Sequence, residues 1–175
     1  MDSRFIVGID LGTTNCALAV RDASAPDDTG RIEVQAITQL VNPGEVAGRP
    51  LLPSFLYVPG ELDFPAASTA LPWDSQPPYV IGELARKRGA ENAARLVASA
   101  KSWLSYGGAQ RTAPILPWGA PDDVTKLSPV DASAEYLRHL AAALSAVLGS
   151  TEGSQTIAHQ DVLLTVPASF DEGAR

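Results

Sequence analysis

The sequence predicts a mixed α/β layer fold, and three observations predict it. Short apolar runs of strand length stand near both ends, at 5–9 and 162–166. A long amphipathic helical pattern, 129–148, lies just ahead of the second run. The opening runs are joined by connections short enough for hairpins, so strands lead and a strand–helix–strand layer follows. With 175 residues the chain can build one domain with a real core, or two small lobes.

Phe5–Ile9 reads as a central strand. Cys16–Val20 is a second run, and Ile32–Ile37 a third, with alternation at Ile32, Val34 and Ala36. The link Asp10–Asn15 suits a tight hairpin. Asp22–Gly30, with SAPDDTG inside it, suits a polar turn. Three antiparallel strands in a row is the simplest local arrangement. The stretch 41–79 is rich in proline and glycine, with LLPSFLYV (Leu51–Val58) as an extended segment inside it. Asp63–Pro78 has no periodicity and reads as an exposed surface excursion.

Helical signal begins near Gly82, and ELARKR is expected to stop at Gly89. Asn92 fits an N-cap, followed by Ala93, Leu96, Val97, Ala100 and Leu104 at helical spacing, with Arg95 and Lys101 off that stripe. A turn-rich segment, 106–123, has room for a short strand at Ile115–Trp118. The third helix is the clearest. Ser128 caps it, Pro129 opens it, and Asp131 sets a carboxylate at its positive end. Its expected buried stripe is Val130, Ala134, Leu137, Ala141, Leu144 and Leu148, with Gly149 as the stop. Val162–Val166 then reads as another central strand, ended by Pro167.

Composition excludes several functions. A net charge of -7 provides no basic field for nucleic acid. A single cysteine, Cys16, excludes a disulfide framework and a cysteine-rich zinc site. His139 and His159 are the only histidines, so a His/Cys metal cluster is not expected. No apolar run approaches the ~18 residues of a membrane span. The start, MDSRF, lacks a basic region followed by a long apolar segment, which makes the cytoplasm the default compartment.

Chemistry concentrates in DLGTTN. Asp10 follows the first strand at its C-terminal end, the usual ligand side of an open α/β sheet. A carboxylate there can hold magnesium directly or through water. Gly12 lets backbone approach a phosphate, while Thr13, Thr14 and Asn15 offer N–H groups and the threonines add hydroxyls. The same letters also suit an ordinary hairpin turn. Lys101 can reach a phosphate as a point charge, or be a solvated helix lysine. Pro167, with Arg175 eight residues on, can form a relay, or simply end a strand. Neither GxxxxGK[ST] nor GxGxxG is present.

VGIDLGTTNCALAV (Val7–Val20) resembles the phosphate-1 signature of the 70-kDa heat-shock chaperones, within the actin, hexokinase and chaperone superfamily. LLPSFLYV resembles that family's TPS-containing strand. Tyr79–Ser105 resembles the segment bearing its catalytic lysine, and LSPVDASAEYLRHL resembles a helix that opens with SPEE-like residues. LLTVPASFDEGAR (Leu163–Arg175) resembles its ITVPAYFND motif. The resemblance covers nearly the whole chain in family order. It departs at Cys16, at Ser169 where an aromatic is usual, and at Asp63–Pro78, which looks like an insertion.

The resemblance implies a ribonuclease H-like, actin-like ATPase fold. Residues 1–40 plus 128–175 would form one subdomain, with a smaller α/β subdomain, 41–127, inserted. It implies ATP or ADP with magnesium, and admits potassium. It implies catalytic Asp10 and Lys101, metal-binding Asp10, nucleotide-binding Gly12, Thr13, Thr14 and Asn15, and an interdomain switch of Pro167 and Arg175. Its partners would be unfolded client polypeptides, a J-domain co-chaperone and a nucleotide-exchange factor, with neither nucleic acid nor membrane. The chain reads as the truncated N-terminal part of a larger bacterial protein, with the catalytic glutamate and second phosphate loop beyond Arg175. Alone it is expected to be inactive, and its strand 162–166 is expected to be an unprotected edge open to self-association. A sugar-kinase-like phosphotransferase and an actin-like nucleotide-dependent scaffold are the alternatives.

Overall fold

In the computed structural model, residues 3–26, 30–105, 111–148, 156–166 and 170 are described. The opening hairpin forms as its pattern predicts. β1 (Phe5–Leu11) and β2 (Asn15–Asp22) pair antiparallel, with Leu11 opposite Cys16. The two-residue period of strands puts Val7, Ile9, Leu11, Cys16, Leu18 and Val20 into the core. Gly8, Asp10, Ala17 and Ala19 therefore share the other face.

The third strand is a correction. β3 is only Glu33–Val34, and Ile32 and Val34 are 70% and 66% exposed. Ile37, fully buried, instead opens β4 (Ile37–Asn42), which pairs with β5 (Glu45–Arg49) in a separate hairpin. Gly44, at φ 75°, makes that turn, a conformation open to glycine at no steric cost.

LLPSFLYV divides into β6 (Leu52–Pro53) and β7 (Phe55–Tyr57). β6 pairs with β2, whereas β7 lies between β8 (Val80–Ile81) and β9 (Leu96–Ala98) in another sheet. Ser54 is thus the single residue at which the chain passes from one sheet to the other. The 63–78 excursion is anchored rather than loose. Asp63 accepts hydrogen bonds from Tyr57 Oη and Gly60 N at 2.9 and 2.7 Å, and Trp73 packs edge-on to His139.

α1 (Glu83–Glu91) runs past Gly89. A Cβ there would lie 2.4 Å from Leu96 Cδ2, so this glycine serves close packing and does not stop the helix. The helix expected from Asn92 onward is also corrected. A short 3-10 turn, Ala93–Arg95, leads into β9, and α2 (Ala100–Leu104) starts only after Ser99, at φ 55°. The apolar spacing of 93–104 served a buried strand and then one helical turn. Ile115–Trp118 gives only an isolated bridge between Leu116 and Leu127.

α3 (Pro129–Leu148) starts where its capping signal placed it. Ser128 Oγ accepts from Asp131 N at 3.0 Å and donates to Asp131 Oδ2 at 2.6 Å. Its buried face is Pro129, Ala132, Ser133, Tyr136, His139, Leu140, Ala143 and Leu144, so the expected stripe is rotated and Val130 is exposed. Tyr136 and His139 can be buried because each polar end has a partner: Tyr136 Oη donates to Ser54 O, and His139 Nε2 donates to Thr38 O at 2.9 Å.

β10 (Asp161–Thr165) lies parallel to β1, with Asp10 opposite Thr165, and the first sheet has the order β10-β1-β2-β3. Among the described residues β10 is that sheet's edge. Its side chains are exposed, Leu163 at 66%, which corrects the central-strand expectation. One apolar cluster joins β1 and β2 to α3 through Val7, Ile9, Leu18, Ala132, Tyr136 and Leu140. A second gathers Leu40, Tyr57, Val80, Leu84 and Ala85 under α1.

Candidate functional site

Leu11 faces Cys16, so Gly12–Asn15 alone turn the chain. The turn is tight enough to require glycine: a Cβ on Gly12 would sit 2.0 Å from Asn15 O. Thr13 and Thr14 are exposed. Among the described residues, their hydroxyls and N–H groups have no hydrogen-bond partner. Asp10 lies at the end of β1, exposed, and its Oδ1 accepts a 2.8 Å hydrogen bond from Thr165 Oγ1. The parallel register of β10 creates that contact, and no local pattern announces Thr165.

Lys101 is the unusual residue. It is on α2, only 9% exposed, where pattern reading put it on an outer face. The left-handed turn at Ser99 aims this short helix so that Ala100, Lys101 and Leu104 point inward. Its ammonium lies 6.0 Å from the centroid of the Phe170 ring. Among the described residues it has neither a hydrogen-bond nor an ion-pair partner. Every other buried polar residue among the described residues is satisfied: Gln39, Ser54, Ser128, Ser133, His139 and Gln160 all make hydrogen bonds.

Cys16 lies at the root of the turn, opposite Leu11. Burial pushes its thiol above the ordinary value, hydrogen bonding with Ser54 and Gly12 opposes this, and the charges of Asp10 and Lys101 act in opposite directions. Cys16 itself is a packed core group, with Sγ 3.3 Å from Ser54 Oγ. Pro167 and Arg175 lie outside the described residues.

These residues fit a magnesium–polyphosphate group. Among the described residues no three His, Cys, Asp or Glu cluster to cage a metal. Magnesium does not need such a cage, since it binds through one or two carboxylates, water and phosphate oxygens. Asp10 supplies one carboxylate, Gly12 leaves room for close approach, and Lys101 supplies a positive charge with no counter-charge among the described residues.

No family model matches the chain. Over 98% of its length it is 31% identical to a chaperone protein HscA of Enterobacter sp. (strain 638). It is 31% identical to the chaperone protein HscA of Citrobacter koseri over the same share. To a chaperone protein HscA homolog of Photobacterium profundum it is 29% identical, again over 98%. The chain is a relative of the 70-kDa heat-shock chaperones. It spans about a quarter, 24%, of the length of these HscA relatives. A mixed α/β architecture is compatible with part of a heat-shock chaperone ATPase domain. Among the described residues no helix is long and apolar enough to cross a membrane.

Proposed function

We propose that this chain contributes the first half of a magnesium–ATP site in a chaperone-type ATPase. The observation that carries the reading is Lys101: a nine-tenths buried cation with no counter-charge among the described residues. A buried charge is costly unless paired, so a position that keeps one calls for an anionic ligand. Bound magnesium would supply charge neutralisation at the phosphates. Asp10, steadied by Thr165, would hold that ion or its water. The N–H groups and hydroxyls of Thr13 and Thr14, with Gly12 and Asn15, would bind phosphate oxygens. Lys101 would offset charge at the terminal phosphate.

On this reading, residues 1–40 plus 128–175 would form a ribonuclease H-like domain with 41–127 inserted, in a cytoplasmic bacterial protein; similarity to HscA chaperones supports the chaperone ATPase-domain part of it. ATP hydrolysis there would control binding and release of unfolded polypeptide, with a J-domain partner and a nucleotide-exchange factor. Pro167 and Arg175 would carry the nucleotide signal onward, on motif alone. The isolated chain would bind ATP weakly and turn it over negligibly.

The test is magnesium-dependent ATP hydrolysis by the full-length protein carrying this chain, wild type beside Asp10→Asn and Lys101→Ala. Each variant is expected to lose roughly a hundredfold in turnover. Unchanged turnover in Lys101→Ala contradicts the assignment.

A further inference from the structure

We infer that Ser54 is the positioning residue of the Gly12–Asn15 turn, setting which way its peptide groups face so that its N–H groups meet a polyphosphate. This rests on the phosphate reading above and deepens it. Ser54 is 2% exposed, and each of its polar atoms is engaged. Its N–H donates to Thr14 O at 2.8 Å. Its hydroxyl donates to Gly12 O at 2.8 Å. Its carbonyl accepts from Tyr136 Oη at 3.1 Å. With its hydroxyl hydrogen given to Gly12, Ser54 Oγ is left to accept from the Cys16 thiol at 3.3 Å.

The consequence is geometric. In a planar trans peptide the C=O and N–H point in opposite directions. Drawing the Gly12 carbonyl toward Ser54 turns the N–H of Thr13 away from it. Drawing the Thr14 carbonyl does the same to the N–H of Asn15. Two carbonyls that would repel a phosphate are thereby held on the buried side, and N–H groups are presented on the other. Successive backbone N–H groups of this kind suit the oxygens of a polyphosphate. Tyr136 anchors the arrangement to α3. Its hydroxyl titrates far above the ordinary tyrosine range because it is buried, so it remains a donor. Pro53 contributes as well. Lacking an N–H, it sits opposite Asn15 at a position where no donor is needed, and the next residue, Ser54, makes the bond to Thr14.

The experiment titrates the full chain with inorganic triphosphate and magnesium while following backbone amides by NMR, beside its thermal unfolding midpoint. In wild type the Thr13, Thr14 and Asn15 amides are expected to shift saturably. In Ser54→Ala the affinity read at those amides is expected to fall about tenfold, with amide dispersion elsewhere kept. Ser54→Cys fills the same space with a weaker donor, so it tests the same point should the alanine variant not fold, and a clear loss of affinity is expected there too. Wild-type affinity in a folded Ser54 variant, with only the unfolding midpoint lowered, overturns the positioning role and leaves the phosphate reading standing. No response at Thr13–Asn15 in wild type overturns the phosphate reading, and the role of Ser54 with it.

Discussion

Two helices bury polar groups in this molecule, and they do so differently. α3 buries Ser133, Tyr136 and His139, and each reaches a backbone carbonyl: Pro129 O, Ser54 O and Thr38 O. α2 buries Lys101, whose ammonium meets only an aromatic ring at 6.0 Å among the described residues. Satisfied polar groups tie elements together and account for their own burial. An unsatisfied cation adds cost without tying anything. The difference separates the residues that hold the fold from the one to which the proposed function assigns a ligand. Arg88 sharpens the contrast: its Nε is buried without a partner among the described residues, yet the same guanidinium donates to Glu91 and to Asp63 O, so its charge is compensated.

Four substitutions or conditions can break or sharpen that contrast. The largest effect is expected at Gly12→Ala, because the added Cβ would meet Asn15 O at 2.0 Å and backbone cannot yield cheaply. Urea unfolding should show a loss of about 3 kcal/mol; a change within 0.5 kcal/mol, roughly the range of ordinary surface substitutions, would mean the turn is looser than described. Tyr136→Phe should cost about 1–2 kcal/mol by leaving Ser54 O without its donor. Lys101→Met should move the other way, gaining about 1 kcal/mol, since it replaces a buried cation that has no ion-pair partner among the described residues with an apolar side chain of similar length.

The smallest effect is a pH dependence from His139. Burial holds its pKa below the unfolded value of 6.5, with the bond to Thr38 O opposing. As pH falls below that value the unfolded chain takes the proton first. His139 therefore contributes its stability fully above 6.5, and loses it as pH drops toward the folded value. Asp74, Glu135, Arg138 and Tyr79 line the same cavity as His139, so His139→Gln at matched pH isolates its part. The variant should unfold with a shallower slope between neutral and mildly acidic pH; an unchanged slope would assign the dependence to those neighbours.

The legible and illegible parts of the sequence divide on physical grounds. The first hairpin, the Ser128 cap and the acidic turn were readable because each is specified by residues a few positions apart. Ser54, Tyr136 and Thr165 were not, since their partners lie in other elements and only the folded topology brings them together. The 93–104 segment misled because helical spacing also describes a three-residue strand followed by one inward turn; the positive φ at Ser99 separates the two. Lys101 looked solvated for the same reason. The rotated face of α3 was missed because Tyr136 and His139 counted as polar, although both polar ends are bonded.

The most direct test of the central claim compares thermal unfolding of the wild-type and Lys101→Met chains, with and without magnesium–ATP in excess. At ten times the dissociation constant a ligand stabilises by about 1.4 kcal/mol. The account predicts that Lys101→Met is the more stable chain without nucleotide, and that nucleotide raises the midpoint of wild type alone. A variant less stable than wild type, with both chains shifting equally on adding nucleotide, would contradict it: Lys101 would then be a structural residue, and the phosphate site would lie elsewhere.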